Sequence, residues 1–263
     1  MGKLLKFELQ SGSRLLLPLY IAAIILSALT AATIKTTMES IGAVTFIVGL
    51  INVLYVVVII AIAVVTSIMI VLHFQRNLMG SQGYLMFSLP VTTGEHIFAK
   101  ALGALIWTIL SIIVSGITLF ILLTFGQDSV AEAFEAYRYA MSVFGQLVRE
   151  NMLTTILLVF LFIAAIIGSI MKFYASIAVG HLWGSHPIMG AVIAYIVFGI
   201  IESNLFFLCV TVSKRFLDAI DLMIESETLP PVAAGTFLAI AVVYTLIYGF
   251  ITWFVLDKKL NLE

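Results

Sequence analysis

Four side chains stand out because the sequence sets them inside runs that are otherwise apolar. Asn52 lies in the second such run, and Glu202, Ser203 and Asn204 lie in the fifth. A carboxylate at the centre of a bilayer costs ~2.5–3.5 kcal/mol even on the mild insertion scale. Glu202 is therefore expected to face a cavity, a partner or a bonded polar group, or to hold a proton, since desolvation favours the neutral carboxyl. Asn52, Glu202 and Asn204 become candidates for a substrate path or for a hinge in a broken helix. A plainer reading displaces the fifth run, so that Glu202 sits near the outer headgroups. Other chemistry is missing from the sequence. There is no GxxxxGKS/T phosphate loop, no HExxH and no Cys/His cluster with metal spacing, and no GxSxG serine motif. No catalytic residue and no metal ligand set is read. His73 and His96 flank one connection and His181 and His186 another; five apart, the second pair does not share a helix face. Cys209 is the single cysteine and lies in an apolar stretch. That excludes an internal disulfide and reads as a buried inert thiol.

The elements that must carry these residues follow from composition. Of 263 residues, 62% are hydrophobic and 10% charged, and the mean hydropathy is +1.19. A soluble domain is ~45–50% apolar and ~25% charged, so the bilayer is the natural solvent for this chain. A net charge of −1 lends no electrostatic support to nucleic-acid binding. Six segments are long enough to span, at 15–34, 41–72, 97–125, 152–171, 187–213 and 232–256. The expected fold is all-α: a polytopic integral membrane protein with six transmembrane helices in a single transmembrane domain, 1–263. The first run covers about twenty residues, whereas a cleavable signal's apolar region has ~7–15, so it is read as a retained span.

Six spans leave both termini on one side. Lys3, Lys6, Arg14, Arg76, Lys100, Lys172, Lys258 and Lys259 fall on that side, against Lys35, Arg138, Arg149, Lys214 and Arg215 on the other. The excess of Lys and Arg places the termini in the cytoplasm. Residues 3–13 are expected to form a short amphipathic helix at the cytoplasmic surface, a reading compatible with an ordinary positive-inside flank. The 126–151 connection carries a capping box, Ser129 with Glu132. Val130, Phe134, Tyr137, Met141, Phe144 and Val148 then recur at spacings of 4, 3, 4, 3 and 4, one stripe of a helix. This external helix is expected to lie on the outer leaflet or to be the raised end of a neighbouring span, or else to serve as a lid or a partner surface. A second external amphipathic helix is expected at 214–231, stopped by Pro230 and Pro231.

The 73–96 connection differs from the others. Residues 73–100 read HFQRNLMGSQGYLMFSLPVTTGEHIFAK. Its middle is apolar, with Tyr84, Leu85, Met86, Phe87 and Leu89, and such a loop should dock rather than face water. Gly83 and Pro90 permit sharp turns. Thr92 or Thr93 suits the cap of the next helix, with Glu95 matched to its positive N-terminus.

This stretch resembles the permease subunits of type-2 ABC exporters of Gram-positive bacteria. The likeness rests on Phe74, Arg76, Asn77 and Leu78, then GYLMFSLPVT at 83–92, then Lys100, and more weakly on ASIAVGHLWGSHPIMGAV at 175–192. The acidic residue expected before the Gly-Tyr pair is Gln82 here. The resemblance implies that 73–96 is a coupling loop set in a groove of a separate ATPase subunit. Tyr84, Phe87 and Leu89 would anchor it, Pro90 would shape it, and Arg76 and Glu95 would fix its register. ATP and Mg would belong to that partner, leaving this chain without a cofactor or enzymatic activity of its own. Two ATPase copies and a second permease chain, a copy or a relative, would complete the assembly in a bacterial cell membrane. It would move an amphipathic peptide, lipid or drug outward. Two other readings remain open. One is a standalone proton-coupled carrier using Glu202; the other is a non-transporting immunity or sensor protein that sequesters a membrane-active peptide.

Overall fold

A computed structural model describes residues 2–37, 43–79, 92–125, 130–184, 186–212 and 231–258. Among these residues there are helices and turns and no strand. The helices are α1 (Gly2–Thr37), α2 (Ala43–Phe74) with a π-helical turn at Gln75–Met79, α3 (Thr93–Phe125), α4 (Val130–Glu150), α5 (Met152–His181), α6 (Pro187–Val212) and α7 (Pro231–Lys258). All but α4 are long and apolar enough to cross a membrane, six in the described chain. The protein is therefore an all-α polytopic membrane protein, and the six expected spans are the six observed. Three bounds differ. The amphipathic N-terminal residues do not form a separate helix; they run without a break into the first span, through Pro18. The fourth span does not stop at 171 but continues to His181, which carries Lys172 inside it. The third helix begins at Thr93 rather than 97. The amphipathic helix expected at 214–231 lies outside the described residues, as does Ser129.

The chain divides into two compact units, Met1–Met69 with Ile106–Leu147, and Ile70–Leu105 with Val148–Glu263. The first unit packs on regular seams. Leu16, Tyr20, Ala23, Ser27 and Thr30 are buried on α1 at spacings of 4, 3, 4 and 3. Val48, Tyr55, Ile62 and Met69 repeat every seven residues on α2, and Trp107, Ser111, Val114 and Thr118 follow 4, 3, 4 on α3. Such spacing keeps one stripe of each helix against its neighbours at a shallow crossing angle. Gly12 is the close contact here, because a side chain there would collide with the Trp107 indole. The stripe expected on α4 is present and mostly uncovered, with Phe134, Met141 and Phe144 exposed. Tyr137 ties it to α3; its ring lies 4.6 Å from Phe120 and its hydroxyl donates to the Phe120 carbonyl at 3.4 Å.

The second unit is built on α5, which packs against both α6 and α7. Ile166, Ile170, Tyr174 and Ile177 are buried along it, with Ala175 and Ala178 letting neighbours approach. Gly168 lies against the Thr245 hydroxyl. Phe74, at the end of α2, stacks on Tyr174 with centroids 4.0 Å apart. α5 and α6 form a tight hairpin, closed where the His186 N–H donates to the Trp183 carbonyl at 3.0 Å. There a Cβ at Gly190 would crowd the Gly180 carbonyl, and a Cβ at Gly180 would run into the backbone of Ala191 and Pro187. Small residues at such crossings are what let membrane helices meet without water. Gly180→Ala is therefore expected to destabilise the protein by about 1–3 kcal/mol, the ordinary cost of overpacking. Gly249→Ala, which meets nothing within 4 Å, is the control. Melting temperatures of the two purified variants in the same detergent test this, and a drop is expected only for the first.

Candidate functional site

Within the second unit, the Lys172 ammonium donates to Glu202 Oε2 at 2.7 Å. The pair links α5 to α6 inside two membrane spans. Its depth follows from its neighbours. Tyr244 donates to the Glu202 carbonyl at 3.0 Å and is the fourteenth of the 28 residues of α7. Thr245, next to it, reaches the Ala164 carbonyl near the middle of α5. Glu202 is about 22 Å along α6 from Pro187 at 1.5 Å per residue. Beyond it α6 continues through a further apolar turn, where Phe206 stacks on Phe237 at 5.4 Å. Glu202 is thus level with the middle of α7, and it is the sixteenth of the 21 residues of the apolar span Pro187–Phe207.

The pair is built as a satisfied group. Lysine side chains on a helix lean toward its N-terminus, which carries the Lys172 ammonium away from the hairpin and across to Glu202. Gly199 leaves room for it, since a Cβ there would lie 3.3 Å from the nitrogen. The ammonium also sits 4.9 Å from the centroid of Tyr195, whose ring stacks on Phe173 at 4.9 Å. Such a cation–π contact is worth ~0.5–2 kcal/mol, more when desolvated. Tyr248 donates to the same carboxylate oxygen at 3.4 Å. The two side chains are unequally covered, 14% exposed for Lys172 and 38% for Glu202, so the carboxylate is the open side of the cluster. Tyr195 also lines an apolar cavity of about 250 Å³, with Val71, Gln75, Phe173, His181 and Ile188.

The other residues singled out by sequence fall in separate places. Asn52 belongs to the first unit; it is half-buried on α2, and its Oδ1 has no hydrogen-bond partner. Asn204 is exposed on α6 and donates to the Ile200 carbonyl at 2.7 Å. It lies about 200° around the helix from Glu202 at 100° per residue, so the two do not act on one face. Arg76 is exposed on the π-helical turn. Glu95 closes a capping box: the Thr92 N–H donates to its carboxylate at 2.9 Å, and its own N–H points back to the Thr92 hydroxyl at 3.4 Å. Tyr84, Phe87, Leu89 and Pro90 lie outside the described residues. His96 is buried in the first turn of α3, and His181 ends α5.

Sequence reasoning missed Lys172 as Glu202's partner because it took the lysine for the end of span four. The signal was available. Nine further residues, Phe173–His181, remain compatible with a span, and Tyr244 and Tyr248 lie four apart on one helix face, suited to a shared polar partner. Comparison with known protein families, with curated proteins and with solved structures finds no match to this chain.

Removing one member of a buried pair leaves an uncompensated charge, at ~3–5 kcal/mol when burial is complete. Glu202's partial exposure lowers that figure. Lys172→Met and Glu202→Met are each expected to reduce the melting temperature by several degrees. The Lys172→Met/Glu202→Met double variant should recover most of the loss. Equal losses that simply add would show that the two groups are not coupled.

Proposed function

We propose that the chain is the membrane-spanning subunit of an ATP-binding-cassette exporter, driven by a separate ATPase. The observation that carries this reading is the apolar GYLMFSLPVT stretch at 83–92, placed in a connection between two spans. Its flanks support a mechanical role. Upstream, Phe74 and Leu78 are fully buried, with Phe74 stacked on α5. Downstream, Thr92 and Glu95 cap α3, and the Thr93 hydroxyl donates to Asp257 near the end of α7 at 3.3 Å. A displacement of the loop is thus delivered to α5 on one side and to α7 on the other.

In this reading the loop sits in a groove of the ATPase, with Tyr84, Phe87 and Leu89 as anchors and Arg76 at its edge. Closure of two ATPase copies around ATP and Mg moves the loop. The spans of two permease chains then change which side of the membrane they open to, and an amphipathic peptide, lipid or drug leaves a bacterial cell. Both termini face the cytoplasm. A proton-coupled carrier centred on Glu202 has less support. Its carboxylate is held by Lys172 at 2.7 Å, and the pair would have to part in every cycle.

Affinity purification from the native host is the first test: an ATPase should accompany the chain. The Tyr84→Ala/Phe87→Ala/Leu89→Ala variant should keep its melting temperature, lose most of its associated ATPase and lose transport. A variant that still transports normally overturns the coupling role.

A further inference from the structure

The helix α4 (Val130–Glu150) sorts its side chains by angle. At 100° per residue, Phe134, Tyr137, Met141, Phe144 and Val148 fall within about 80° of one another. Glu132, Glu135, Ser142, Gln146 and Glu150 take the other side. Phe134, Met141 and Phe144 are exposed, and three observations say what covers them. The first is depth. Tyr137 packs on Phe120, five residues before the end of α3, which is about 7.5 Å inside that end at 1.5 Å per residue. α3 carries no charge from Ala101 to Phe125, and Leu119, Phe120 and Leu123 are exposed on it as lipid-facing residues of a span. The apolar side of α4 therefore continues a surface that already faces lipid. The second is connectivity. α3 and α5 are consecutive spans, so both ends of α4 lie on one side of the membrane. Asn151 alone separates α4 from Met152 and Leu153, which are apolar and exposed at the start of α5. One residue reaches at most ~3.6 Å, too little to lift the helix clear of that start. Asn151 also leaves helical geometry, at φ −126° and ψ 46°, so α4 is not a raised continuation of α5. The third is charge. Glu132, Glu135 and Glu150 stand against Arg138 and Arg149, so neither sign dominates.

We propose that α4 lies in the plane of the membrane surface and that the bilayer itself is its partner. Phe134, Met141 and Phe144 sit among the acyl chains, and the polar side faces headgroups and water. A helix of this kind buries its apolar side ~5–10 Å into the headgroup and acyl boundary, a range that brackets the depth at which Tyr137 meets Phe120. What holds it is apolar area. With its charges nearly balanced it makes no demand for anionic lipid, unlike the basic helices that read surface charge. The placement also acts on the spans. α4 resists moving up or down, so it holds the end of α3, through Tyr137, and the start of α5, through Asn151, to the level of the membrane surface. It stands on α3, α4 and Asn151 and would hold for an exporter, a carrier or a sensor alike.

The test uses the full chain on a Cys209→Ser background, in phosphatidylcholine liposomes. A nitroxide is attached at Phe134→Cys, Met141→Cys or Phe144→Cys, and at Glu135→Cys, Ser142→Cys or Gln146→Cys for the polar side. Power saturation then compares access of oxygen, which enters lipid, with that of a water-soluble nickel chelate. The first three labels should be reached by oxygen at a depth of ~5–10 Å, and the last three by the nickel chelate. Adding phosphatidylglycerol or raising the salt should leave the depths unchanged. Phe134→Glu/Phe144→Glu should carry the Met141→Cys label into water and leave the melting temperature in detergent unchanged. Nickel access at Phe134→Cys, Met141→Cys and Phe144→Cys would mean that the helix stands clear of the membrane. Access to neither reagent would mean that a protein or a bound peptide covers it. Insertion that needs phosphatidylglycerol would mean that charge holds it. Each of these three results overturns the proposal. None of the readouts involves an ATPase, so failure here leaves the exporter reading standing, and loss of the ATPase leaves this placement standing.

Discussion

The hydrocarbon core of a bilayer offers no water to a polar group, and almost every feature of this chain answers that one constraint. Helices satisfy the backbone within each span. The hydroxyls follow the same rule. Ser27 donates to Ile24, Thr66 to Ile62, Ser169 to Ile166, Ser176 to Lys172, Thr236 to Val232 and Thr252 to Tyr248, each three or four residues back on its own helix. These back-bonds cost little helix stability and make Ser and Thr tolerable among apolar neighbours. What cannot be satisfied inside one helix has to be satisfied between helices, and such groups fix how the spans pack.

The two units solve this second problem differently. In the first, neutral groups are chained: the Tyr20 hydroxyl meets Ser111 at 2.7 Å, and Ser111 meets Thr66 at 2.8 Å, joining α1, α3 and α2 through one serine. A neutral chain is cheap to bury because no charge is desolvated, and it holds three helices in register for two hydrogen bonds. In the second unit the groups are ionic, and α5, α6 and α7 converge on Glu202. An ion pair brings more attraction but a larger desolvation cost, so it is net stabilising only when its remaining bonds are met. Tyr248 bonds the carboxylate and the Tyr195 ring covers the ammonium here.

Hydropathy made the spans legible because one residue type after another favours lipid, and summing over about twenty residues averages out local exceptions. The 4, 3 spacing made α4 legible for the same reason, and Thr92-x-x-Glu95 named its own cap. The boundaries failed where one charge outweighed its setting. Lys172 was read as the edge of a span because a lone lysine belongs in headgroups, and its neutralising partner stands thirty residues away on another helix. Pairing across helices is tertiary information that a window of hydropathy does not contain. With Lys172 and Lys100 inside spans, the Lys and Arg balance used to orient the chain falls from eight against five to six against five. The 73–96 loop then bears more of that argument.

The Lys172–Glu202 pair also has a property that follows from its uneven exposure. Coulomb attraction scales inversely with the effective dielectric, and for two unit charges 4 Å apart it falls from ~4 kcal/mol at a protein surface to ~1 kcal/mol in water. Lys172 is shielded by Tyr195 and by the helices, while more than a third of the Glu202 side chain is open. Lipid or protein against that open side keeps the pair strong, and water against it weakens the pair without moving any residue. The tie between α5 and α6 is therefore as firm as its surroundings are dry. Tyr244 and Tyr248 of α7 hold the same residue. The glycine contacts at Gly180 and Gly190 are not electrostatic and would be unaffected.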